Sequence, residues 1–126
     1  MRVLFVSSSS GSRGGGEFFL VYLAEALKTL GVEVGLWMAD DPQMDGIADL
    51  FGETGTLLRA PYTNTYLRRT RSFSHLLPAR SEMAPIRDQW LSFQPDIIHF
   101  NKQCLEDGLD LLELANDLPI PHGCTI

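Results

Sequence analysis

The first seventeen residues restrict the fold more tightly than any other stretch of the chain. Val3-Leu4-Phe5-Val6 is a continuous apolar run of strand length, the pattern of a parallel strand buried on both faces. Ser7-Ser8-Ser9-Ser10-Gly11-Ser12-Arg13-Gly14-Gly15-Gly16-Glu17 follows and leads directly into Phe18/Phe19, Tyr22/Leu23, Ala26/Leu27 and Leu30 at helical spacing, with Gly31 as terminator. A buried strand joined by small residues to a helix is the opening of a βα unit. It brings the bare N–H groups of a helix N-terminus to the carboxyl edge of a sheet, where the peptide dipoles favour an anion. Phosphate or sugar-phosphate chemistry is the expectation.

The alternation continues along the chain. Val32 to Met38 reads as a second strand, ended by Asp40-Asp41-Pro42, which caps a short helix through about Phe51, and Thr54 to Leu58 reads as a third strand. Ala60 to Met83 has no clear period and is either a long loop or a mobile helix. Pro85 suits the first turn of a helix to Phe93, and Pro95-Asp96 launches Ile97-Ile98-His99-Phe100 as a fourth strand. Leu105 to Leu118 reads as a helix with Leu105, Leu109, Leu112 and Ala115 on one face, and Cys124-Thr125-Ile126 as the start of a fifth strand. The whole predicts one α/β domain over residues 1–126, a Rossmann-like three-layer sandwich with a parallel sheet in the order 3-2-1-4-5. The crevice between the first and fourth strands is then the ligand site.

Charge narrows the partners. The formal net charge is −6, the wrong sign for a nucleic-acid-binding domain. From Arg59 to Arg87, however, six arginines stand against Glu82 alone, interleaved with aromatic and leucine side chains. Such a run is usually a solvated face; its functional reading is peripheral contact with an anionic membrane through Arg68, Arg69 and Arg71. Cys104 and Cys124 lie in no metal or redox spacing and read as free thiols of a reducing compartment. The run Val3 to Val6 is too short for a signal segment and no stretch reaches membrane-span length, which predicts a cytoplasmic protein, peripheral at most. Three scattered histidines give no metal spacing, so no metal is expected; a cofactor separate from the substrate is not expected either.

Two clusters carry the chemistry. Gly14-Gly15-Gly16-Glu17 either admits a ligand to the backbone or merely turns the chain and packs the helix on the sheet. It is not a Walker loop, since no Gly-Lys-Ser/Thr follows, and its spacing departs from the dinucleotide fingerprint. Asp40 falls near where a ribose-binding acid would stand, which keeps a non-enzymatic nucleotide-binding or interaction module as the alternative. His99 and Asn101 flank Phe100 at the end of the fourth strand, so alternation turns both toward one side. His99 can exchange a proton or hydrogen bond with a substrate hydroxyl, or simply finish a buried strand. His75 and His122 read as surface or turn residues.

Taken in order, Met1-Arg2-Val3-Leu4-Phe5-Val6, Gly15-Gly16-Glu17, Leu23-Ala24-Glu25-Ala26-Leu27 with Gly31-Val32-Glu33-Val34, and Pro95-Asp96-Ile97-Ile98-His99-Phe100-Asn101 resemble the N-terminal domain of the GT-B retaining glycosyltransferases. The resemblance implies an enzyme that moves a sugar from a nucleotide-diphosphate donor to an acceptor with retention and usually without metal. It implies that the backbone at Gly15, Gly16 and Glu17 contacts the donor diphosphate. It also implies that Ser7, Arg13, His99 and Asn101 line the substrate cleft, with His99 as the acceptor-side catalytic candidate. That family often carries a second histidine where this chain has Asn101, and a further one just past Thr125-Ile126. Its C-terminal nucleotide-sugar-binding domain has no counterpart in these residues. The expectation is therefore a domain inactive alone, with an incomplete sheet edge available for self-association.

Overall fold

A computed structural model describes residues 1–9, 15–65 and 80–126. Five strands, β1 (Arg2–Ser7), β2 (Glu33–Ala39), β3 (Thr56–Ala60), β4 (Ile97–Asn101) and β5 (His122–Thr125), form one sheet. Among the described residues four helices accompany them: α1 (Gly15–Thr29), α2 (Asp45–Phe51), α3 (Arg80–Phe93) and α4 (Leu109–Asn116). Every strand pair is parallel and the order is β3-β2-β1-β4-β5, so the chain is α/β with a Rossmann-like three-layer arrangement.

Alternation along the strands divides the core in two. Leu4, Val6, Trp37, Ile98 and Phe100 face α3 and α4, whereas Val3, Phe5, Val34, Leu36 and Met38 face α1 and α2. The first face is aromatic: Tyr62, Trp37, Trp90 and Phe100 meet edge to face in sequence, with ring centroids 5.5, 5.9 and 5.8 Å apart. Each such pair adds about 1 kcal/mol beyond the area it buries. Gly35 makes room for this layer, since a Cβ there would stand 2.9 Å from the Phe93 ring. Under the opposite face α1 presents Leu20, Val21 and Ala24, slim enough to lie close on the strands. Phe18, Phe19 and Tyr22, which the spacing put on the same stripe, lie toward solvent.

Several boundaries differ from the sequence reading for identifiable reasons. Asp41 does cap the turn at Pro42–Met44, accepting from the Gln43 N–H at 2.8 Å. The third strand starts at Thr56 rather than Thr54, because Gly52–Thr54 forms a single 3-10 turn. Helix α3 begins at Arg80 and holds Pro85 inside it rather than at its start. Met83, Ile86, Trp90 and Phe93 are all buried, so the apolar stripe runs across the proline and outweighs the one hydrogen bond it removes. The helix expected from Leu105 starts at Leu109, and its buried face is Leu111, Leu114 and Ala115 rather than Leu105, Leu109, Leu112 and Ala115. Gly108 stands between, with φ of 62°, a left-handed residue that ends the preceding turn. Strand β5 begins at His122, two residues before the expected start, and His122 packs its ring against Phe100 at 6.2 Å.

Candidate functional site

Strand order reverses between β1 and β4, so the carboxyl ends of these neighbours open the crevice where α/β sheets take ligands. Ser7 pairs with Asn101 there. The next residue, Ser8, uses both its N–H and its hydroxyl on the Asn101 carbonyl, at 3.3 and 3.2 Å. The Ser8 hydroxyl also reaches Asp107 Oδ2, which in turn accepts from the Gln103 N–H at 3.2 Å. Gln103 continues the network: its Nε2 donates to Ser9 Oγ at 3.1 Å and to Glu17 Oε1 at 3.0 Å. The segment after β4 is thereby fastened both to the end of β1 and to the first turn of α1.

The glycines that open α1 have backbone angles any residue can adopt, since the positive-φ glycines among the described residues are Gly31, Gly52 and Gly108. A Cβ on Gly15 would meet nothing within 4 Å, and one on Gly16 only the Asn101 carboxamide, at 3.5 and 3.8 Å. The tight-packing explanation for these two residues therefore does not hold among the described residues. Gly108 is the opposite case. Its left-handed backbone and a Cβ position 2.9 Å from Ser8 Cβ both demand glycine.

His99 and Asn101 share the α1 side of the sheet, as alternation requires, but do not act as a pair. His99 lies one rung deeper, edge-on to Phe5 at 5.6 Å, with Nε2 3.1 Å from Thr125 Oγ1. Burial lowers its pKa, so the ring is neutral near pH 7. Asn101 is buried against Gly16. Ser7 is buried too, and its Oγ accepts from the Ser9 N–H at 3.4 Å, a contact within the turn. Glu17 is buried at the start of α1 and receives Gln103. Arg13 lies outside the described residues, as do Arg68, Arg69 and Arg71.

Ser8, Gln103 and Asp107 escaped the sequence reading, together with Lys102, a buried residue whose ammonium group donates to the Leu105 carbonyl at 3.0 Å. The Asp107-Gly108 dipeptide was the available signal, a turn pair set inside an assumed helix. Burial raises the Asp107 pKa, against the opposing pull of the Ser8 hydroxyl, the Gln103 N–H, the Lys102 charge and the Gly108 N–H. Its Oδ1 is buried without a hydrogen bond of good geometry among the described residues.

Asp40, the acid of the dinucleotide alternative, stands at the end of β2 with Oδ1 3.4 Å from Arg59 Nε. Both cysteines are free, Cys124 exposed and Cys104 half-buried. Among the described residues no group of three or more His, Cys, Asp or Glu is placed to hold a metal ion, and no helix is long and apolar enough to cross a membrane. Comparison with models of protein families, with curated proteins and with solved structures finds no match to this chain.

Proposed function

We propose that this chain is the acceptor-side Rossmann-like domain of a GT-B retaining glycosyltransferase, which transfers a sugar from a nucleotide-diphosphate donor to an acceptor hydroxyl. The observation that carries this reading is the glycine pair Gly15-Gly16. It lies at the switch point of the sheet, in helical backbone, with no packing contact among the described residues that glycine alone could satisfy. Glycine in the first turn of a helix costs about 0.5 kcal/mol relative to alanine, less than in a helix interior. Room for a ligand's phosphoryl oxygens against the first N–H groups of α1 offsets that cost through function. His99, held neutral, exchanges its Thr125 contact for an acceptor hydroxyl. In such an enzyme the remainder of the donor site belongs to a second domain, so these 126 residues hold the donor weakly.

The test is an amide NMR titration of this chain with a nucleoside diphosphate and, separately, with inorganic pyrophosphate. Both are expected to move Gly15, Gly16 and Glu17 first and to saturate weakly. Shifts confined to other regions, with that turn unmoved, would remove the reading.

A further inference from the structure

Asn101 is the second feature of this crevice that folding leaves unexplained. It is 6% exposed, yet the described residues give its carboxamide no hydrogen bond, while its backbone carbonyl accepts twice from Ser8. Neither carboxamide atom is sealed from solvent, so the group keeps a donor and an acceptor open to the crevice. The direction of the group is defined by Gly16. The position of an added Cβ lies 3.5 Å from Asn101 Nδ2 and 3.8 Å from Oδ1, with no third atom within 4 Å among the described residues outside the adjoining stretch of α1. Whichever way the amide is turned, an atom seated beside Gly16 meets one donor and one acceptor.

We infer that Asn101 is a direct ligand of the phosphoryl group bound at the start of α1, donating from Nδ2 to the oxygen that lies beside Gly16 while Oδ1 accepts from a neighbouring hydroxyl of the same ligand. The inference rests on the phosphate reading of Gly15 and Gly16. It moves Asn101 from the wall of the acceptor cleft to the phosphate site itself, and the preferred ligand is a phosphate ester or diphosphate with a free hydroxyl close by. A neutral donor suits the surroundings. Glu17 is already buried at the helix start, and a carboxylate in place of Asn101 would repel the phosphoryl group. His99 cannot serve as the side-chain donor there, since it lies a rung back and faces Thr125.

The experiment uses the intact 126-residue chain and inorganic pyrophosphate, read by NMR. In the wild type the side-chain NH2 signals of Asn101 move together with the Gly15, Gly16 and Glu17 amides, a measurement that needs no variant. Asn101→Ala weakens pyrophosphate about tenfold, in the range expected for a hydrogen bond to a charged group, and Asn101→Asp abolishes binding. Gly16→Ala keeps the fold, because its Cβ makes only an ordinary contact, and loses pyrophosphate because that Cβ fills the oxygen's place. If the helix amides shift while the Asn101 NH2 stays still, or Asn101→Ala binds as the wild type does, the inference falls and the phosphate reading stands. If the helix amides do not move in the wild type, the phosphate reading itself falls.

Discussion

The carboxyl edge of the sheet has two halves that solve the same problem differently. At the ends of β2 and β3, Arg59 meets Asp40 at 3.4 Å, Asp45 at 2.8 Å and the Asp41 carbonyl at 2.9 Å. Gln89 of α3 ties in as well, donating to the Arg59 carbonyl at 2.8 Å while accepting from the Trp37 indole at 3.0 Å. At the ends of β1 and β4 the polar residues are more deeply buried, yet Asp107 Oδ1 is buried without a hydrogen bond and the Asn101 carboxamide makes none among the described residues. An arginine paired with two carboxylates ties one half of the edge together, although its Nε also makes no hydrogen bond. In the other half the unused hydrogen-bonding capacity belongs to a carboxamide and a carboxylate with no cation paired to them among the described residues.

The largest effect that sharpens this contrast lies at Gly108. Gly108→Ala sets a side chain in the left-handed region and against Ser8, and is expected to cost about 3 kcal/mol in urea unfolding. A midpoint equal to the wild type would show that the turn beneath the site is not the fixed element described. Arg59→Met dismantles the matched half and should cost about 1 kcal/mol, since its partners are largely exposed. It should leave pyrophosphate shifts at Gly15 to Glu17 unchanged, and a loss of those shifts would merge the two halves into one site. Gly15→Ala is expected to raise stability by about 0.5 kcal/mol, because a Cβ there meets nothing and alanine favours the helix. A loss of stability would mean that folding itself requires that glycine.

The smallest effects concern pH, and the two buried groups act with opposite sign. The His99 pKa is lowered on folding, so its contribution is present above about 6.5, the unfolded value, and disappears as pH falls through the lower folded value. The Asp107 pKa is raised, so its contribution is present below about 3.9 and disappears as pH rises through the higher folded value. His99→Gln should therefore reduce the loss of stability on mild acidification, and Asp107→Asn should reduce the loss on leaving the acid range. Denaturation midpoints collected across pH 4 to 7 for both variants check the signs.

Local chemistry made much of the fold readable. Val3 to Val6, the Asp41-Pro42 cap and the Gly31 terminator each act within a few residues, and together they specify alternating elements and hence the 3-2-1-4-5 sheet. The site was readable only where it touches such signals, at Gly15, Gly16 and the end of β4. Ser8 and Asp107 are 99 residues apart and Gln103 and Glu17 are 86 apart, so no local period hints at either contact. The start of α4 was misplaced for the same reason. Leu105 to Ala115 carries a fair helical pattern, and what interrupts it is Gly108 pressed against a serine from the far end of the chain.

The central strand has a consequence for the order of assembly. On one side Val3 pairs with Val34, and on the other with Ile97. As the chain leaves the ribosome, β1 can gain its first neighbour early but waits for most of the sequence to gain its second. The crevice between β1 and β4 does not exist until that late pairing closes. A bound phosphate would therefore report completed folding of the sheet and hold back the step by which it opens, a slower release of β4 that hydrogen exchange in the presence of pyrophosphate would register.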